Sequence, residues 1–492
     1  MRSLPHSRTI VTTLAALLVV GSGTQQIYAR TNAVNSAIAM VRADSGATAM
    51  ATRFRAALPS EADGTLAYLA GVATPRGSRD LLFLTTKDGH ILALDARSGA
   101  TVWSHQYGPG SCMINGGDTP CYTTSSPAVD PSGRYVYSYG LDGRVHKYAT
   151  GSGSESVGGG WPEVATLKGS DEKGSSAISI AIARNGQSYL YMANGGYPGD
   201  RGDYQGHLTA INLRTGAQRV FNADCSDRAV HFVEHPAAPH CAQVQTAIWA
   251  RPGAVYDAAT DRIYVATGNG DFAPASHAWG ESVLALNPDG TGVNGGPLDS
   301  YTPAEYGQLN DTDADIGSTE PAILPTLPSG AHRHLGVQGG KDAMLRLLDM
   351  DNLSGQHATG RTGGALQVLP LPQGGDVLTS PAVWTDAHGT TWVFVSTSSG
   401  ISGLRLVASG TPRLQPVWQS GTGGFSPAID RGVLYYAGPG NLWALDAATG
   451  RTLRHNGGIG YIHWQSPRVA GGTVYLTDGD NRLSAFAAVR NG

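Results

Sequence analysis

The segment Asn310-Asp311-Thr312-Asp313-Ala314-Asp315-Ile316-Gly317 sets three carboxylates at alternate positions. Acids that close repel one another unless something neutralises them, and three at period two can converge on calcium or another hard cation. The segment is not an EF-hand, because its glycine falls one place late and the closing acid, Glu320, comes too early. A second stretch, Thr246 to Asn269, carries Trp249, a turn from Tyr256-Asp257 to Asp261, a β-branched and aromatic run, and then Gly268-Asn269-Gly270. That is strand, hairpin, strand and glycine-rich exit. Trp249 and Asn269 can do chemistry together only if the fold turns both into one central cavity. His231, His235 and His240 lie between Cys225 and Cys241. Two histidines four apart could share a metal on a helix, but Pro236 and Pro239 oppose one, so the segment reads as a surface loop. Ser-His-Asp catalysis has no Gly-x-Ser-x-Gly support.

The elements that must position these residues are short and repeated. A chain of 492 residues exceeds a single ordinary core, so it is either several domains or one large repeat architecture. Its 67 glycines with only 15% charged residues fit a turn-rich β protein. The unit runs from an inner strand, often opened by Ser-Pro-Ala-Val, to an aromatic or β-branched strand, a Gly/Asp turn, a Leu-x-Ala-Leu-Asp strand, and a Thr/Ser-Gly turn before the fourth strand. Its clearest copies are Asp80 to Trp103 and Val433 to Leu453. The inner-strand signature recurs at Ser126, Thr319, Ser380, Ser426 and Ser466, with divergent copies near Leu66, Ser175 and Thr246. About eight units of roughly 40–50 residues predict an all-β, eight-bladed β-propeller of four-stranded antiparallel blades. The last unit stops after Leu483-Ser-Ala-Phe486 without a fourth strand. A strand near Phe54 is expected to complete it, because a closed ring leaves no edge.

Arg2 and Arg8 precede an apolar run from Ile10 to Val20, and small residues follow to Ala29. Residues 1–29 therefore read as a signal peptide, 30–60 as a linker and closing strand, and 61–492 as the propeller. A retained membrane anchor is the competing reading, although the apolar run is short for a bilayer and no span is expected in the mature chain. The expected location is secreted or periplasmic. Four cysteines suit an oxidising compartment and allow three pairings, of which the two local ones, Cys112 with Cys121 and Cys225 with Cys241, are favoured. A formal charge of −4 and no basic cluster argue against a nucleic-acid partner. The expected partner is a small-molecule substrate or a protein at the propeller mouth.

The Leu-x-Ala-Leu-Asp-x-x-Thr-Gly pattern resembles the repeats of pyrroloquinoline quinone (PQQ) dependent alcohol dehydrogenases and their non-catalytic relatives, whose propeller has eight blades. Trp249 and Asn269 match the family's tryptophan floor beneath the quinone and its asparagine metal ligand; an indole suits a planar cofactor and an amide oxygen a hard cation. Lys341, in Gly339-Gly-Lys341-Asp-Ala-Met, falls where the family bonds the quinone carbonyls. Asp315 is closest to the family's catalytic aspartate, a general base for the substrate hydroxyl, with the spacing to Gly317 off by one. The resemblance thus implies PQQ, calcium or a similar cation with Asp313 close by, and oxidation of an alcohol or sugar hydroxyl. Departures point the other way. Pro198 stands at the family's metal-binding glutamate, leaving Asp200 or Asp203 to substitute, and no two cysteines are adjacent to cap a quinone. With no Cys-x-x-Cys-His for haem, an enzyme would need a separate electron acceptor. A non-catalytic binding or assembly scaffold is the alternative.

Overall fold

The computed structural model describes residues 38–41, 46–108, 111–114, 117–198, 202–233, 241 and 245–490. The expected signal peptide, Asp200, His235 and His240 lie outside the described residues. Among those described, strands form eight four-stranded antiparallel blades, spanning 67–106, 128–164, 179–222, 255–301, 322–370, 382–420, 425–457 and 468–487. Blade 8 has three strands of its own. The strand Thr52–Ala57 pairs antiparallel with Arg482–Ala487, Phe54 opposite Ala485, and supplies the fourth. The ring is therefore closed by the N-terminal strand, as expected. The linker also holds a short strand that the sequence did not suggest. Ala39–Val41 adds in parallel to the outer strand of blade 6, with Met40 opposite Gln419.

The repeat motif has a physical reading. The Asp that ends each Leu-x-Ala-Leu-Asp strand folds the next turn onto its own carboxylate: Asp95 accepts from the Arg97 and Ser98 amides at 2.9 and 3.1 Å, and Asp446 from Thr449 at 2.9 Å. The glycine that follows is forced by a neighbour. Gly450 has φ +72°, and a Cβ there would lie 2.6 Å from Trp418 of the preceding blade, whose indole N–H donates to Ala447 O at 3.0 Å. Trp103 makes the same dock, donating to Thr150 O at 2.8 Å. One motif thus makes the turn inside a blade and the seam between blades.

Strand direction defines two mouths. Segments that lead into inner strands, and turns from second to third strands, share one mouth; turns from first to second and from third to fourth strands share the other. Connections at the first mouth are the long ones, including residues 302–321 with the helix Tyr306–Asp311.

Candidate functional site

Trp249, Asn269 and Lys341 line one cavity of about 350 Å³ at the first mouth, although they come from the blade 3–4 connection, blade 4 and blade 5. The Trp249 indole N–H donates to Asp315 Oδ2 at 3.0 Å. The Lys341 ammonium lies 5.1 Å from the indole centroid and 2.6 Å from both Asp315 Oδ1 and Asp313 Oδ1. This packing requires Gly268, where a Cβ would sit 2.8 Å from Trp249 Nε1 and 3.1 Å from Asp315 Oδ2. Asp315 is fully buried. Burial pushes its carboxyl above the ordinary range, with Lys341 and the indole N–H pulling back. Burial would lower the Lys341 ammonium, but Asp315 and Asp313 outweigh it and raise it. Behind Asp315, the buried Glu281 accepts the Ile316 amide at 3.2 Å from a strained backbone with φ +52°. Burial first, and the neighbouring Asp315 second, push Glu281 up to about 8.

The opposite wall is built on a residue that the sequence reading missed. Asp63, 2% exposed, holds Arg251 at 3.0 Å, His463 at 2.9 Å and Lys87 at 3.6 Å. Burial alone would raise this carboxyl, but Arg251, then His463 and Lys87, hold it well below the usual range. Trp464 links the two walls. Its ring stacks on His463 at 3.9 Å, receives the Arg251 guanidinium at 4.3 Å, and lies 5.6 Å from Trp249. The buried Lys173 ammonium also lines the cavity and donates to Ser175 Oγ at 3.1 Å. A second hollow of about 230 Å³ is lined by Ser126, Ser380, Ser426 and Ser466 of the inner-strand motif, and Arg251 and Trp464 belong to both.

Of the four expected metal ligands, Asn269, Asp203 and Asp313 are among the described residues. Asp203 pairs with Lys168 at 3.0 Å, and Asp313 is exposed, turned by φ +53° onto Lys341. Alternation puts side chains on one face only in a strand. Here Asp311 instead ends a helix and Asp313 sits in a turn. Among the described residues no three His, Cys, Asp or Glu side chains cluster as metal ligands. Lys341 supplies the neutralisation that adjacent acids require. Asn269 stands at the cavity wall with its amide N–H 3.4 Å from Asn310 O. Pro198 lines the same wall where the resemblance expects a glutamate.

The two local disulfides form, Cys112 with Cys121 and Cys225 with Cys241. Neither lines the cavity among its described residues. Cys112 Sγ instead lies 3.1 Å from the Tyr197 hydroxyl, so the first bridge braces Tyr197 and Tyr122, which meet edge to face at the cavity wall. A signal for the missed residues existed in the register of the repeat. Lys87 follows the second strand of its blade as Asn269 and Lys341 do, and Asp63 and Trp464 precede inner strands as Asp315 does.

No curated protein matches the chain. Solved structures match its fold. A quinohemoprotein alcohol dehydrogenase from Pseudomonas putida is 14% identical with a TM-score of 0.57, covering 92% of this chain and 79% of its own. A europium-containing methanol dehydrogenase is 14% identical at 0.53, covering 89% and 96%. BamB from Moraxella catarrhalis is 13% identical at 0.51, covering 89% and 99%. At such identities the likeness carries the fold alone. One family model, described as outer membrane protein assembly factor BamB, matches residues 16–262 and 375–492, passing over the segment that holds Asn269, Asp315 and Lys341. By that match over most of its length, the chain belongs to this PQQ-like propeller family.

Proposed function

We propose that the protein is an exported quinoprotein-type oxidoreductase that holds PQQ in the first-mouth cavity and oxidises an alcohol or sugar hydroxyl. The observation that carries this reading is the meeting of Trp249 and Lys341 in one cavity, both held from behind by the buried Asp315, with Lys87, Lys173 and Arg251 on the remaining wall. A planar tricarboxylate suits an indole face ringed by cations. Trp249 would carry its plane, and Lys87, Lys173 and Arg251 its carboxylates. Bound there, the quinone would supply the two-electron acceptor for hydroxyl oxidation, with a separate acceptor re-oxidising it.

The residues of the chain do the rest. Asp315 takes the hydroxyl proton, and its raised carboxyl suits a base working nearer neutral pH. The Trp249 N–H fixes one carboxylate oxygen, so the other faces Lys341. Burial keeps bulk water away, which strengthens the attraction between the lysine and the carboxylate. Of the donors expected for a metal, Asp203 is held by Lys168 and Asp313 by Lys341.

Titrating the purified protein with PQQ, with and without calcium, tests the reading through quinone absorbance and dye reduction with a panel of alcohols and sugars. Saturable binding and dye reduction are expected, with Trp249→Ala weakening the first and Asp315→Asn abolishing only the second. Absence of binding under both conditions overturns the proposal. A non-catalytic binding propeller is the second reading, favoured by Pro198 and by the engaged Asp203 and Asp313. PQQ binding without dye reduction selects it. Export is checked by finding a processed chain in the periplasmic or culture fraction.

A further inference from the structure

A larger hollow, of about 930 Å³, lies at the opposite mouth, on the seam where the ring closes. It is lined by Arg53 of the closing strand, by Arg76, Arg79 and Arg97 of blade 1, and by Thr473 and Tyr475 of blade 8. Among the described residues two acids share it, and both are engaged. Asp80 accepts from the Tyr68 hydroxyl at 2.9 Å and the Gly71 amide at 2.8 Å, and Asp95 pairs with Arg79 at 2.6 Å while closing its own turn. Arg53 donates to Gly472 O at 3.2 Å. The guanidinium groups of Arg76 and Arg97 have no carboxylate partner among the described residues, and both are exposed. In a chain of formal charge −4, four arginines against two acids in one hollow is a local reversal of sign.

We infer that this seam hollow is a binding site for a small polyanion, one carrying at least two phosphate or carboxylate groups. The planar guanidinium fork pairs with either group through two parallel hydrogen bonds, and several forks around one concavity hold several such groups. An uncharged alcohol would leave the arginines uncompensated. Because the walls belong to the closing strand, blade 1 and blade 8, an occupant ties together the three pieces that complete the ring. Its binding therefore raises the melting temperature, since it favours only the closed state. The inference does not depend on PQQ chemistry at the other mouth.

The test is calorimetric titration at low ionic strength with inorganic pyrophosphate and, separately, with citrate, each followed by thermal unfolding. The wild-type chain is expected to bind at least one of them saturably at one per chain, to weaken as sodium chloride is added, and to melt at higher temperature when loaded. Which anion binds more tightly tells phosphate from carboxylate as the natural group. The Arg76→Ala/Arg97→Ala chain, whose lost side chains are exposed and unpaired, should fold with unchanged circular dichroism and bind at least tenfold more weakly. Arg76→Lys/Arg97→Lys, keeping charge without the fork, should fall between. The inference is overturned if neither anion binds saturably, or if the double alanine chain binds as tightly as wild type, which would move the site to the first-mouth cavity.

Discussion

Both mouths of the ring gather cations, but they hold them differently. In the first-mouth cavity Arg251 and His463 sit on the buried Asp63, Lys341 on the buried Asp315, and Lys173 on a serine hydroxyl. At the seam hollow Arg76 and Arg97 project from hairpin turns into solvent. A desolvated charge persists only with a partner, so the cavity fixes where each charge points. An exposed charge needs no partner, so the seam stays adjustable and open to screening. The cavity is thus prearranged for one rigid ligand, whereas the seam suits anions of varied shape.

The largest effect that would break this contrast comes from Asp63→Ala. It leaves Arg251 buried against His463 with Glu61, already held by Lys87 at 2.7 Å, as the acid that remains, and removing one partner of a buried pair costs about 3–5 kcal/mol. Urea unfolding should register that loss, whereas Arg76→Ala should stay within about 0.5 kcal/mol. Equal effects would mean that the two mouths do not differ as described. The acid response has a definite sign. The folded-state value of Asp63 lies below its ordinary value of 3.8, so its contribution is complete above that value and is lost as pH falls below it.

Next in size is Gly268→Ala. The new methyl would meet Trp249 Nε1 at 2.8 Å and Asp315 Oδ2 at 3.1 Å, parting the indole from the carboxylate. Overpacking of this kind costs about 1–3 kcal/mol. PQQ affinity should fall with it, while anion binding at the seam remains. A Gly268→Ala chain with normal PQQ affinity would show that the Trp249–Asp315 bond does not shape the cavity.

The repeat, the strand that closes it and the convergence of Trp249, Asp315 and Lys341 were legible in the sequence, because each rests on local spacing or on a motif. The Asp63 wall was not. Its partners Arg251 and His463 lie 188 and 400 positions away, and only ring closure brings them together. The triple aspartate misled for a different reason. Period two aligns side chains only in extended backbone, and here a helix ends at Asp311 and the chain reverses through a left-handed Asp313. The partner of Asp203 was not legible either, since Lys168 lies 35 positions earlier and meets it only in the fold.

Glu281→Gln gives a smaller and pH-dependent effect. Glu281 rises from its ordinary 4.5 to about 8 in the folded chain, so the folded state keeps a proton that the unfolded state releases. Stability therefore falls as pH climbs from about 4.5 to 8, the reverse of the Asp63 case. Glutamine is already neutral and keeps an acceptor for the Ile316 amide. Melting curves across this range should converge near pH 4.5 and separate towards pH 8, with the variant the more stable. Parallel curves would show that Glu281 is ionised in the fold.

The smallest effect sharpens the contrast most. With chloride as the only anion, Arg76→Ala/Arg97→Ala removes two charges that repel Arg53 and Arg79, so it should stabilise the ring slightly, by about 0.2–1 kcal/mol at low salt. The Debye length is about 30 Å at 0.01 M and about 3 Å at 1 M, so the gain should vanish in concentrated sodium chloride. The Asp63→Ala defect should largely survive the same salt, because the Arg251 side chain is only 10% exposed and salt screens buried charges much less than surface ones. Paired unfolding curves at the two ionic strengths therefore separate charges held inside the protein from charges held at its surface. If the Asp63→Ala defect also fades in salt, solvent reaches Arg251, and the cavity wall is as adaptable as the seam.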